Sequence, residues 1–114
     1  MRIRLHQIVV DCREPGKLVR FWARLLETEP VDRARGWSHV DLPGVARLAF
    51  QPVAEGKAVK NRLHLDLAVD DLAAAAARAV ELGATAVGGP VSDDQGSFQT
   101  MRDPEGNEFC LVTG

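Results

Sequence analysis

Two histidines and the end of the chain carry the residue types that could do chemistry. His6 and His64 each lie in a strand-like run before a helical pattern, "IRLHQIVVD" and "NRLHLDLAV", 64 − 6 = 58 residues apart. The closing run "DPEGNEFCLV" adds Glu108 and Cys110. Imidazole nitrogens suit zinc, nickel and iron, a thiolate suits zinc, and a glutamate near a bound molecule can serve as a general base. Which chemistry is available depends on the elements that position these side chains.

Two helices are predicted from the spacing of apolar residues. In "PGKLVRFWARLLE" Pro15 suits the first turn, and one stripe at i, i+3, i+4, i+7 and i+8 comprises Leu18, Phe21, Trp22, Leu25 and Leu26. Phe21 and Trp22 are expected in the core. In "VDDLAAAAARAVELGA" Asp70 or Asp71 caps the start and Gly83 suits the left-handed end, while the packing face is Leu72, Ala76, Ala79 and Val80.

The order strand, helix, strand, strand, strand occurs twice along the chain. Matching features recur at offsets of 58 to 60 residues, since His6 matches His64, Gln51 matches Cys110 and Trp37 matches Ser97. This repeat predicts an α+β fold of two tandem βαβββ modules, about 1–53 and 62–114, joined by a linker at about 54–61 within a single domain 1–114. The two modules are expected to form a cup-shaped, partly closed eight-stranded sheet with the helices outside.

Side-chain alternation along each predicted strand separates an apolar side from a polar one. In "RLHLDLAV" the apolar side is expected to pack on the helices and consists of Leu63, Leu65, Leu67 and Val69. Over both modules the opposite side would line the cup with His6, Gln51, His64, Asp66, Glu108 and Cys110. The first strand fits either side, so His6 is placed by analogy with His64. The same alternation adds Trp37 and His39 as candidates for the wall.

The composition excludes several classes of partner. The chain has 14 Lys and Arg against 16 Asp and Glu, a net charge of −2, which argues against nucleic acid or an anionic membrane surface as a partner. No apolar run approaches the roughly 20 residues that span a bilayer, and the start of the chain lacks the pattern of a signal peptide. Cys12 and Cys110 alone do not make a disulfide framework, so we expect a cytoplasmic protein.

Five segments together resemble the vicinal oxygen chelate superfamily, in its glyoxalase-like, bleomycin-resistance-like branch. They are "LHQIVVDC", "LVRFWARLL", "LAFQPV", "RLHLDLAVDDLAAAAARAVELGA" and "DPEGNEFCLV", and they cover nearly the whole chain. The resemblance implies paired βαβββ modules that form a cup, and a homodimer. Its metalloenzymes bind a divalent ion with one residue from the first and one from the last strand of each module. Other members sequester a small molecule without a metal.

The implied metal ligands fall on His6 and His64 in the first strands and on Gln51 and Cys110 in the last. Such metalloenzymes usually end "DP-x-G-x-x-x-E", with the acid four residues after the glycine. Four residues after Gly106 is Cys110, whereas Glu108 is only two residues after it. The implied set for zinc, nickel or iron is therefore His6, Gln51, His64 and Cys110. Because it lacks a carboxylate, extradiol dioxygenase and glutathione-dependent glyoxalase activities are disfavoured.

The expected function is the binding of a small organic molecule in the cup, without the superfamily's standard metal chemistry and so without a cofactor. The alternative is a divalent-metal-dependent lyase or isomerase that uses His6 and His64, with the metal polarising adjacent substrate oxygens. The residues expected to contact the molecule are Trp37, His39, Arg47, Asp66, Glu108 and Cys110, with Glu108 as the candidate catalytic residue.

Several of these residues also have a structural interpretation. Trp37 either stacks on a flat ligand or covers the open edge of the cup. Glu108 is either a general base or a solvated acid at the start of a strand. Asp66 either faces the ligand, pairs with Arg47 or caps a loop. Cys110 either supplies a thiolate or fills space as a small core side chain.

Overall fold

The computed structural model describes residues 2, 5–59, 61, 63–94 and 96–113. They form two compact units, Met1–Gly56 (unit 1) and Lys57–Gly114 (unit 2). Within the described residues each unit has the order strand, helix, strand, strand, strand, so the α+β fold of two βαβββ modules is confirmed. Ile3, Arg4 and Arg62, which the predicted strands include, lie outside the described residues. The cup stays a prediction.

Unit 1 is a four-stranded sheet with one helix packed on it. Its elements are β1 (Gln7–Cys12), α1 (Pro15–Leu25), β2 (Val31–Asp32), β3 (Ser38–Val40) and β4 (Arg47–Pro52), with a single 3₁₀ turn at Ala34–Gly36. The strand order is β1-β4-β3-β2. β1 runs parallel to β4, and the other neighbouring pairs are antiparallel.

Helix α1 begins at Pro15 because proline needs no backbone N–H donor in the first turn of a helix. Its apolar stripe covers the sheet, and Phe21 and Trp22 are only 4% and 3% exposed, which confirms them as core residues. The two rings meet edge to face with centroids 5.4 Å apart. Arg20 on the other side of the helix ties it to the sheet by donating two hydrogen bonds to the Asp32 carboxylate.

Unit 2 repeats the arrangement. Its elements are β5 (Leu65–Ala68), α2 (Leu72–Leu82), β6 (Thr85–Asp93), β7 (Gly96–Arg102) and β8 (Glu108–Thr113). The strand order is β5-β8-β7-β6, with β5 parallel to β8. Among the described residues the eight strands therefore form two sheets of four.

Helix α2 begins where Asp71 accepts a hydrogen bond from the backbone N–H of Ala74, 3.0 Å away, which decides between the two predicted caps. It ends at Gly83, whose φ of 121° favours glycine. Two side chains predicted to pack are instead exposed, Val80 by 50% and Leu63 by 83%. Val80 follows the buried Ala79 and is rotated about 100° away from it, and Leu63 lies before the first residue of β5.

Strand β6 contains a bulge between Val87 and Val91, where the pairing with β7 shifts register. The buried Gln99 side chain of β7 fills the gap. Its amide nitrogen donates to the backbone carbonyls of Gly88 at 3.1 Å and Thr100 at 2.9 Å. The irregular stretch "GGP" is thus held by the Gln99 side chain rather than by regular backbone hydrogen bonds between β6 and β7.

The "DPEG" turn before β8 is organised by the buried carboxylate of Asp103. Oδ1 accepts hydrogen bonds from the backbone N–H groups of Glu105 and Asn107, both at 2.9 Å, and Oδ2 accepts one from the Asn107 side chain. Gly106 takes a φ of 84° in the same turn. This fixes the point at which β8 begins and therefore which side chains of "EFCLV" face each side of the sheet.

Neither of the described α-helices combines the length and the apolar content needed to cross a bilayer.

Candidate functional site

One side of the unit 2 sheet carries six polar side chains in two rows, which we call the unit 2 polar face. Because paired residues on neighbouring strands point to the same side, Thr100, Cys110 and Asp66 form one row across β7, β8 and β5. The second row contains Arg102 and Glu108, with His64 beside them just before β5. On the opposite side of β8, Phe109 and Leu111 are each 1% exposed, so the predicted separation of faces in this strand is confirmed.

Three side chains of the unit 2 polar face form a candidate metal centre. One ligand atom from each of His64, Asp66 and Cys110 lies within 4.8 Å of the other two. His64 Nε2 is 3.1 Å from Asp66 Oδ1, and Cys110 Sγ is 3.5 Å from the hydroxyl of Thr100. An imidazole, a carboxylate and a thiolate are chemically suited to zinc, and three protein ligands leave a coordination position open. The residues present therefore fit a divalent metal.

The structure does not bring the two predicted unit 1 ligands together. His6 is exposed and precedes β1, whereas Gln51 pairs with Asp11 near the far end of the same ladder. The separation from His6 to Asp11 is five residues, or about 17 Å along a strand at roughly 3.3 Å per residue.

The register of β1 also changes the counterpart of His64. Gln7 pairs with Arg47, so the odd-numbered residues of β1 share the side of Arg47, Ala49 and Gln51. The two helices start 72 − 15 = 57 residues apart, which matches His64 with Gln7 rather than with His6. If Gln7 corresponds to His64, then Val9 corresponds to Asp66. Asp66 pairs with Cys110 and Val9 pairs with Ala49, so Ala49 is the unit 1 counterpart of Cys110. Neither Gln7 nor Ala49 is a strong metal ligand, and His6 lies one residue before the position that matches His64.

In unit 1 the polar side of the sheet holds a different group, formed by His39, Asp41 and Arg47. Arg47 Nε donates to Asp41 Oδ1 at 2.8 Å, and His39 Nε2 lies 3.4 Å from Asp41 Oδ2. His39 is only 5% exposed, and its Nδ1 has no hydrogen-bond partner. Burial, followed by the charge of Arg47, lowers the pKa of His39, while the hydrogen bond from Arg47 lowers the pKa of Asp41. A neutral imidazole is the result.

The predicted ligand-contacting residues are therefore divided between the units. Arg47 pairs with Asp41, and Asp66 pairs with His64. Trp37 is half-buried, and the guanidinium carbon of Arg33 lies 5.3 Å from the centre of its ring.

Two open recesses of about 450 Å³ lie beside these groups. In unit 1 the recess is lined by Leu5, His6, Asp41, Gly44, Val45, Ala46 and Arg47. In unit 2 the lining, which defines the unit 2 recess, is Lys57, Ala58, Val59, Arg102, Gly106 and Glu108.

Thr100 and Arg102 are site residues that were not predicted from the sequence. Both alternate with Met101, which is fully buried, so alternation within "SFQTMR" was the signal that placed them on the polar side.

A family model described as the glyoxalase-like domain matches residues 7–112. The chain belongs to this glyoxalase-like family. This match confirms the resemblance to the glyoxalase-like branch of the vicinal oxygen chelate superfamily. A search of curated proteins found no match.

Solved structures of similar fold cover nearly the whole chain of this glyoxalase-like protein. A glyoxalase/bleomycin resistance protein/dioxygenase family enzyme from Burkholderia phytofirmans PsJN has a TM-score of 0.79 and 17% identity, over 94% of this chain and 95% of that chain. A glyoxalase-related enzyme from Fulvimarina pelagi has a TM-score of 0.78 and 19% identity, over 97% and 88%. Fosfomycin resistance protein FosX from Mesorhizobium loti has a TM-score of 0.74 and 21% identity, over 100% and 93%. At these identities the likeness shows the fold.

Proposed function

We propose that this glyoxalase-like protein is a divalent-metal-dependent enzyme of the lyase or isomerase type, with the metal held by His64, Asp66 and Cys110. The observation that carries the proposal is the approach of one ligand atom from each residue to within 4.8 Å of the others. The sequence-based alternative relied on His6 and His64. The proposal keeps His64 and replaces His6 as the second ligand by Asp66, a carboxylate two residues after His64.

A bound metal would act as a Lewis acid toward oxygen atoms of the substrate. Neighbouring side chains of the unit 2 polar face would hold the ligands in place and accept protons. The hydroxyl of Thr100, 3.5 Å from Cys110 Sγ, can donate to a thiolate and hold it in place. Glu108 is two residues before Cys110 on the same side of β8, about 6–7 Å from it along the strand, and would accept a proton from the bound molecule.

Elemental analysis of protein purified from zinc-supplemented medium tests the metal centre. We expect close to one ion per chain. His64→Ala removes one of three ligands and should lower the affinity for zinc by more than about tenfold, measured by competition with a chromogenic chelator. His6→Ala is the matched control, because it removes an exposed imidazole of unit 1 and should leave zinc binding unchanged. Zinc-free wild-type protein, or equal losses in both variants, would contradict the proposal.

Metal-free binding of a small organic molecule is the second candidate. Asp66 already pairs with His64 at 3.1 Å, so these polar groups have a partner without an ion. The corresponding unit 1 positions, Gln7 and Ala49, offer no strong ligand. In this case a thermal-shift screen of small organic acids and aromatics should give the same stabilisation before and after treatment with a chelator. Stabilisation that disappears with the chelator would favour the metal enzyme.

We also propose that the protein acts in the cytoplasm as a homodimer with a small-molecule ligand as its partner. The resemblance to the superfamily supports the dimer, and the net charge of −2 supports a partner other than nucleic acid or an anionic membrane.

A further inference from the structure

We propose that the unit 2 recess binds the carboxylate group of a small monocarboxylic acid. The inference rests on the proposed function, because it names the substrate class for the same face of unit 2. It adds a binding site formed by Lys57 and Arg102, neither of which belongs to the metal centre.

The two cations of the unit 2 recess are available for an anion. Arg102 and Lys57 are both exposed, and neither forms an ion pair with any described carboxylate. This distinguishes them from Arg47 and Arg78, which pair with Asp41 and Glu81. A guanidinium and an ammonium around one open recess are the groups that proteins use to bind an oxyanion.

The charge of the unit 2 recess favours an anion with a single charge. Glu108 is the cross-strand partner of Arg102 and lines the same recess. Two positive charges and one negative charge give a local net charge of +1. A carboxylate neutralises this charge, whereas a dianion leaves an excess negative charge beside Glu108.

The position of the unit 2 recess relative to the metal centre limits the size of the acid. Glu108 lines the recess and lies two residues before Cys110 on β8, a distance of about 6–7 Å along the strand. His64 immediately precedes Leu65, whose partner on β8 is Phe109, so His64 lies beside Glu108. A carboxylate held in the recess therefore leaves only a few bonds before the molecule reaches His64, Asp66 and Cys110, which indicates a short acid.

Binding of lactate, followed by heteronuclear NMR of the full chain, tests the site. We expect lactate to shift the backbone amide signals of Gly106 and Glu108, while lactamide, its uncharged analogue, produces no shift at the same concentration. Methylphosphonate, at a pH where it is a dianion, should bind more weakly than lactate. Equal binding of lactate and lactamide, or tighter binding of methylphosphonate, would overturn the assignment to a monocarboxylate.

Variants that remove one positive charge test whether lactate binds in the unit 2 recess. Arg102→Gln and Lys57→Gln should each raise the dissociation constant for lactate about fivefold, the effect of removing one partly exposed charged partner. Arg78→Gln changes the net charge equally but lies on α2, so it should leave the constant unchanged. If Arg78→Gln raised the dissociation constant for lactate as much as Arg102→Gln, the change would come from the net charge of the protein, and the proposed site would be overturned. A glutamine variant that unfolds would show it in its NMR spectrum, and Arg102→Lys would then replace it, with an expected loss smaller than fivefold.

Titrations of chelator-treated wild-type protein and of His64→Ala separate this inference from the proposed function. The recess contains none of the three metal ligands, so lactate should still shift Gly106 in both samples. Zinc binding without lactate binding at Gly106 would overturn the carboxylate site alone. Lactate binding without zinc binding would overturn the metal centre and leave the carboxylate site standing.

Discussion

His39 shows how its neighbours decide the charge of a single side chain. A carboxylate 3.4 Å away would ordinarily favour the imidazolium form, yet Arg47 already donates to that carboxylate at 2.8 Å. Burial and the positive charges of Arg47 and Arg33 outweigh the effect of Asp41 and lower the pKa of His39. The imidazole is therefore neutral, because it is buried and because the guanidinium of Arg47 already pairs with Asp41.

This neutral histidine predicts a pH dependence of stability. The unfolded chain binds a proton at this imidazole more readily than the folded chain, because only the folded state lowers the pKa of His39. Its contribution to stability is fully present above about pH 6.5, the ordinary value, and is lost as the pH falls through 6.5 toward the lower folded-state pKa. Urea unfolding of wild type and His39→Gln at several pH values measures it, and the stability advantage of wild type should shrink with acid.

His6→Gln serves as the control for this measurement, since His6 is exposed. Its unfolding curves are recorded beside those of His39→Gln, so that the change specific to His39 is read from the difference between the two variants. A wild-type advantage over His39→Gln that grows on acidification would mean that His39 is charged in the folded protein.

At the scale of secondary-structure elements, the cap of α2 is a local interaction that sequence alone left undecided. Asp70 and Asp71 are adjacent acids before the same helix, and only Asp71 accepts a hydrogen bond from Ala74 N–H, at 3.0 Å. The distinction depends on where the helix starts, which the apolar spacing does not fix to one residue.

Asp71→Ala should lower the free energy of unfolding by about 1 kcal/mol, because the first turn of α2 loses its side-chain acceptor. Asp70→Ala changes charge and composition in the same way without removing the cap, so its effect should be within about 0.5 kcal/mol of zero. Both values follow from urea unfolding at neutral pH. Equal losses in the two variants would show that the lost charge, and not the hydrogen bond, accounts for the change.

Side-chain alternation within single strands explains how much of the candidate site could be predicted from the sequence. Alternation placed Glu108 and Cys110 correctly because the intervening Phe109 is strongly apolar and buried. In the first predicted strand Leu5 and Val9 lie on the odd side and Ile8 and Val10 on the even side, so alternation did not choose a side and the analogy with His64 favoured His6. The pairing of Gln7 with Arg47 is a long-range contact that no local pattern encodes.

At the scale of the whole molecule, the repeat was predictable while the difference between its halves was not. Both units share the same order of elements and the same strand order, which follow from the apolar patterns. Their polar sides have diverged, since unit 2 gathers His64, Asp66 and Cys110 while unit 1 gathers His39, Asp41 and Arg47. This divergence comes from single residues at equivalent positions, and such residues do not change the apolar patterns that predict the helices and strands.

A homodimer should appear in solution as a particle of about 25 kDa, twice the 12.4 kDa of the chain, by light scattering coupled to size exclusion. Large apolar side chains left exposed in the structure favour association, among them Leu5, Val45, Val59 and Leu63. Leu63→Lys tests whether one of them contributes, with Val80→Lys on α2 as a control of similar character. A mass of 12.4 kDa at every concentration would mean that the chain is monomeric.

The bulge in β6 has a consequence for how the protein behaves at high concentration. β6 forms one edge of its sheet over the nine residues Thr85–Asp93, and an exposed edge of that length offers backbone groups to a neighbouring molecule. The register shift between Val87 and Val91 breaks the line of those groups, and Pro90 has no N–H to contribute. The stretch "GGP" therefore protects the edge against intermolecular strand pairing and the aggregation that follows from it.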